Sequence, residues 1–67
     1  MIDVTVNGAR HNLQGPVNIR GLLERLEMAG KKVAVECNGD IVPRGLHEHT
    51  FLRDGDRLEI VVAVGGG

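Results

Sequence analysis

The stretch Leu58-Glu59-Ile60-Val61-Val62-Ala63-Val64-Gly65-Gly66-Gly67 runs from a strand pattern straight into three glycines, with no linker between. Leu58, Ile60, Val62 and Val64 share one phase of the alternation, and Arg57, Glu59, Val61 and Ala63 share the other, as in a strand with one buried face. The glycines change what such a strand can do. From Val64 onward, four extended residues reach roughly 13 Å at about 3.3 Å each. They carry no Cβ beyond Val64, and glycine loses the most backbone freedom on ordering, so the arm is expected to stay mobile until a partner grips it. An arm of this kind suits insertion into another enzyme's active site, with the chain's own carboxylate as the substrate. A frayed end or a cloning scar yields the same three letters, so the rest of the chain has to decide between these readings.

Sixty-seven residues make one domain near the small end of what folds without staples. One sheet and one helix is a reasonable maximum core for that length. The apolar content is aliphatic, with Phe51 the single aromatic and neither Trp nor Tyr present. Eight Lys and Arg against nine Asp and Glu give a formal charge of −1, which argues against a nucleic-acid surface, where a basic excess and stacking aromatics are usual. No apolar run approaches a membrane span, and the first residues lack a signal-type pattern. The lone Cys37 cannot form an internal disulfide, which fits a reducing cytosol, so a cytoplasmic protein that is a monomer when free is expected.

Working back from the last strand, Ile2, Val4 and Val6 alternate with Asp3, Thr5 and Asn7 as a first strand. Asn7-Gly8 predicts a two-residue hairpin, because both positions of a type I′ turn need positive φ. A return strand is expected around Arg10 to Leu13, after which Gly15-Pro16 punctuates the chain. Asn18 is a fair N-cap. Ile19, Leu22, Leu23 and Leu26 then share one helical face, predicting a helix over 19–29 with Gly30 ending it in the left-handed conformation. Gly21 inside that helix costs about 1 kcal/mol relative to alanine, so the helix depends on packing. Val33, Val35 and Cys37 alternate as a third strand, Asn38-Gly39 is a second tight turn, and Ile41-Val42 return until Pro43 ends the pairing. Residues 44–51 have no clear period and are expected to be irregular with one helical turn. Asp54-Gly55-Asp56 is a turn. Two hairpins flanking a helix, with a last strand after a crossing segment, predict a small mixed sheet in which the first and last strands lie side by side at the centre. Leu23 and Ile60 are expected to be buried between helix and sheet.

Val6-Asn7-Gly8, Leu22-Leu23 with Leu26, Val33-Ala34-Val35, Asn38-Gly39, Ile41-Val42-Pro43-Arg44, Leu52 to Asp56, Leu58 to Val61 and Ala63 to Gly67 together carry a resemblance. The chain resembles the sulfur carriers of the ubiquitin-like β-grasp family, most closely those of bacterial thiazole biosynthesis, over essentially all its residues. Members often carry a tryptophan four residues after the proline, where this chain has His47. The resemblance implies an α+β, ubiquitin-like β-grasp domain over residues 1–64 and a flexible tail over 65–67. It also implies an E1-like adenylyltransferase that activates Gly67, a sulfur donor such as a cysteine desulfurase, and a thiazole synthase as acceptor. Gly65 and Gly66 would let the tail thread a narrow channel. The chain is then a carried substrate, not an enzyme; it binds no cofactor, and ATP belongs to the partner. Rival readings are a carrier serving molybdopterin synthase, cysteine or secondary metabolites, a protein modifier joined through Gly67, and a purely structural interaction module.

Other residues have plainer readings beside the functional ones. Val61 and Ala63, out of phase with the core, are candidate docking residues beside the tail, together with Val64 and Arg44. The alternative for the aliphatic ones is ordinary surface or burial under residues 44–51; for Arg44 it is capping of nearby carbonyls. His47 and His49, with His11 and Cys37 elsewhere, do not have the spacing of a metal site. Cys37 shares the inward phase of Val33 and Val35 and reads as a small core residue. Lys31-Lys32 reads as a solvated corner.

Overall fold

A computed structural model describes residues 1–63. Strand β1 (Ile2–Val6) turns back into β2 (Ala9–Leu13) with Val6 opposite Ala9, so Asn7 and Gly8 alone form the loop. Their φ values of 50° and 85° are those a two-residue I′ turn demands. Strands β3 (Val33–Cys37) and β4 (Asp40–Val42) repeat the device across Asn38 and Gly39, at φ 52° and 89°. Strand β5 (Arg57–Val62) lies between the hairpins, parallel to β1 and antiparallel to β3, in the order β2-β1-β5-β3-β4. The first and last strands are neighbours, as the pattern predicts.

One face of this sheet packs on helix α1 (Ile19–Arg25). Val4, Val6, Val35, Leu58 and Ile60 come up from the strands to meet Ile19, Leu22 and Leu23, and Leu13, Val17 and Leu52 close the ends. Asn18 caps the helix as expected, its Oδ1 accepting from Gly21 N at 2.7 Å. Gly21 belongs there for a packing reason, because a Cβ would stand 3.1 Å from Val17 Cγ2 and 3.2 Å from Asn18 Oδ1. The far end departs from expectation. The helix stops at Arg25 with Leu26 as C-cap, four residues short of position 29, and Glu27, not Gly30, takes the left-handed position at φ 60°. Glu27 N donates to Glu24 O (3.1 Å) and Met28 N to Leu23 O (2.8 Å), the paired bonds of a Schellman ending. Met28 explains the early stop. It falls on the solvent side of a continued helix, whereas the left-handed residue before it swings its side chain back against the core. Gly30, at φ 85°, serves the following turn, in which Lys31 N donates to Met28 O.

Asn7 continues the central ladder after the backbone of β1 has turned away. Its N donates to Leu58 O at 2.9 Å. Its side-chain Nδ2 donates to Ile60 O at 3.0 Å, while Ile60 N donates to its Oδ1 at 2.7 Å. Asn7→Ala is expected to destabilise the domain by about 2–3 kcal/mol, from two lost hydrogen bonds of about 1 kcal/mol each and a left-handed penalty of similar size. Asn7→Gly, which keeps the turn but not the bonds, should cost less. Urea denaturation of both variants checks this, and a loss below about 1 kcal/mol for alanine would remove the bridging role from the amide.

The crossing segment holds the helix entrance. A 3₁₀ turn at Arg44–Leu46 is followed by residues whose backbone meets the start of α1: Arg20 N donates to His47 O (3.2 Å), Ile19 N to Thr50 O (3.0 Å), and Leu52 N to Val17 O (2.9 Å). His47 is buried, at 7% exposure, and its Nε2–H donates to Val42 O at 3.1 Å. The imidazole ties β4 to the crossing segment.

Candidate functional site

The end of β5 is where the sequence places the chemistry, and the sheet fixes that end firmly. Val33 stands opposite Val62 and Ala34 opposite Val61, while Ala63 N donates to Lys32 O at 2.8 Å. On the other edge β5 bonds β1 as far as Leu58 and then Asn7 as far as Ile60. Ala63 is therefore held from the β3 side alone, three residues past Ile60, where the two-sided bonding ends. Val64, Gly65, Gly66 and Gly67, with the expected mobility of the tail, lie outside the described residues.

Val61 points to the sheet face away from the helix and is 63% exposed, beside Ala34 on β3. Ile41 on β4, 64% exposed, stands across from Glu36 on that face, and Glu36 in turn pairs with Glu59. Val61 thus closes a small apolar patch bordered by two carboxylates. Ala63 and Arg44 are exposed as well, and both line a cleft of about 660 Å³ on the side of α1. The candidate docking residues fall in two places. Ala63 and Arg44 share the cleft, and Val61 faces the open side of the sheet. The sequence reading missed the cleft, because its walls come from separate segments: the loop after α1, the start of β3, and the 3₁₀ turn. Lys31 and Lys32 are solvated, as expected, but they stand on one wall of it.

The remaining titratable residues do not assemble. Among the described residues, no three His, Cys, Asp or Glu side chains are placed to hold a metal. No helix among them is long and apolar enough to cross a membrane. Cys37 is half-buried at the end of β3 with Asn38 Nδ2 at 3.7 Å from its sulfur. Burial pushes its thiol up from the ordinary value, and the Asp56 carboxylate, as charge and as hydrogen-bond partner, and then Asp40 push the same way. Ellman's reagent at neutral pH is expected to label Cys37 more slowly in the folded chain than in urea, because the thiolate is the nucleophile. The raised folded-state pKa also fixes a sign. The thiol's contribution to stability is complete below the unfolded thiol's pKa and is lost as pH rises through the folded one. Equal labelling rates in the two states would contradict this environment.

The architecture and the sequence have counterparts among known proteins. The crystal structure of a thiamine biosynthesis protein (ThiS) from Geobacter metallireducens superimposes with a TM-score of 0.82 at 35% identity, covering 98% of this chain and all of that one. An uncharacterized protein, ycf40, of Pyropia yezoensis is 38% identical over 66 residues, 98% of this chain and 93% of its own length. A thiazole synthase of Paramagnetospirillum magneticum is 39% identical over 64 residues, which are 96% of this chain but 20% of that enzyme. The ThiS family model matches residues 4–67, from the first buried valine through the third glycine. With a family model matched over nearly the whole sequence and a fold shared with a ThiS crystal structure, the chain belongs to the ThiS family.

Proposed function

We propose that residues 1–64 are a carrier domain, that residues 65–67 are its working tail, and that Gly67 is the residue on which sulfur travels in the making of the thiazole ring of thiamin. A carboxylate is a poor acyl donor because its leaving group is oxide. An E1-like adenylyltransferase overcomes this by joining the Gly67 carboxylate to AMP from ATP, with release of pyrophosphate. Sulfur from a donor such as a cysteine desulfurase, carried as a persulfide, attacks the acyl-AMP and expels AMP to give an acyl disulfide. A thiol then reduces it, forming a disulfide and leaving the thiocarboxylate that a thiazole synthase consumes. Gly65 and Gly66 keep the arm slim enough for a narrow channel, and Val61, Ala63, Val64 and Arg44 dock the domain beside it. This chain supplies no catalytic group and binds no cofactor of its own.

The observation that carries the reading is the likeness to a segment making up one-fifth of two thiazole synthases, from Paramagnetospirillum magneticum and Magnetococcus marinus. Fusion in one polypeptide holds two partners at high effective concentration, which favours thiazole synthase as the acceptor. Intact-mass spectrometry of the protein isolated from cells tests the chemistry. The expected species is heavier by the exchange of one oxygen for one sulfur, with the change confined to a C-terminal peptide containing Gly67. High-mass conjugates in its place would make the chain a protein modifier, and neither species would leave it an interaction module.

A further inference from the structure

The cleft beside Ala63 has a charge opposite to that of the molecule that carries it. Arg20, Lys31, Lys32 and Arg44 line it against the single carboxylate of Glu48. Those are four of the chain's eight bases and one of its nine acids, which leaves four bases and eight acids elsewhere. The domain is therefore polarised, with a positive cleft on a body that is net negative. Among the described residues, Arg20 is the only one of the four bases with a carboxylate partner, held by Glu48 and, at 3.9 Å, by Glu24. Lys31, Lys32 and Arg44 are exposed. They stand on two walls, the loop after α1 and the 3₁₀ turn, with Leu23, Met28 and Val33 among the apolar residues between them.

We infer that this cleft seats an acidic segment of the enzyme that receives the tail, with its carboxylates toward Lys31, Lys32 and Arg44 and an apolar side chain toward Leu23, Met28 and Val33. The inference rests on the proposed function for its partner and deepens it by naming the chemistry of the contact. Three observations favour a peptide over a free anion. The cations come from two separate segments, Lys31 and Lys32 after α1 and Arg44 in the 3₁₀ turn. Leu23, Met28 and Val33 share the lining with them. No buried donor is free to face a phosphate: His47, the one buried polar side chain among the described residues, gives its ring N–H to Val42 O. Position adds a fourth, since Ala63, the residue that precedes the tail, belongs to the same cleft. A positive cleft on a negative body also orients the approach, because the partner's acidic segment is drawn to one end of the domain and repelled by the rest.

Two measurements test this. In the first, the labelled chain is titrated with the peptide Glu-Leu-Asp-Glu-Leu, with Lys-Leu-Lys-Lys-Leu, and with inorganic phosphate, and amide shifts are followed by NMR. The expected result is shifts at Lys31, Lys32, Gly45 and Ala63 with the acidic peptide alone, fading as salt is raised from about 50 to 500 mM. No shift at the cleft, the same shifts with phosphate, or cleft shifts that follow protein concentration without peptide would each overturn it. The last two would mean a small-anion site or a second copy of this chain. In the second, Lys31→Glu/Lys32→Glu/Arg44→Glu is assayed by ATP–pyrophosphate exchange with the cognate adenylating enzyme. The KM for the carrier should rise about tenfold or more with kcat unchanged and a flatter salt dependence. The neutral Lys31→Gln/Lys32→Gln variant, with less risk to folding, should move KM the same way by less. An unchanged KM in both variants would overturn the partner assignment. Absence of exchange with the unaltered chain would count against adenylation itself, and the peptide titration would still decide the cleft.

Discussion

Deleting Gly67 is expected to lower adenylation about 100-fold or more while leaving the thermal melt unchanged. The truncated chain still ends in a glycine carboxylate, so its acid chemistry is the same. What changes is reach, by about 3.3 Å for one extended residue. Ala63 cannot move outward to compensate, because its N–H is bonded to Lys32 O and the strand behind it is held on both edges. Placing a reacting group about 1 Å wrong can already cost 100-fold, so a shift several times larger should leave little productive geometry at the ATP α-phosphate. Gly66→Val keeps the reach and removes the slimness, and should fail to a similar degree by obstructing the channel. ATP–pyrophosphate exchange, run beside a melt of each variant, separates the two causes from unfolding. Near-normal exchange by both would leave the glycines without a role.

Leu22→Ala and Ile60→Ala are each expected to cost about 2–5 kcal/mol. Leu22 has no exposed surface and Ile60 has 5%, and they meet across the interface between α1 and the sheet. A seven-residue helix has almost no stability of its own, so α1 persists because Ile19, Leu22 and Leu23 are buried. A chain this short holds about 3–5 kcal/mol in all, so either truncation should leave much of the population unfolded at room temperature. Denaturant titration is the measurement, and losses under about 1 kcal/mol at both sites would be incompatible with the packing described.

Much of this fold was legible in short-range patterns. Asn-Gly placed both hairpins correctly because two adjacent positive φ angles leave few other residue choices, and alternation fixed which face of each strand is inside. The helix end was misplaced for the opposite reason. Gly30 is the residue type that favours a left-handed cap, but the position went to Glu27 because Met28 had to return to the core, a demand set by tertiary packing. Likewise, no period marks residues 44–51, since their order comes from bonds to Asn18, Ile19 and Arg20, about thirty positions earlier. Phase placed Val61 and Ala63 off the core face but left open their burial under residues 44–51; both are exposed in the fold. The cleft could not be read, because Arg20, Lys32 and Arg44 are brought together only by the fold.

The place of β5 between β1 and β3 also decides how the domain answers force. An enzyme that retains the tail while the carrier pulls away draws on Ala63 along the axis of β5. The rungs to β1, to Asn7 and to β3 lie across that axis, so they are strained together in shear and do not peel one at a time. A strand at the sheet edge would unzip from its end under the same tug. A central strand would keep the fold intact under such a pull.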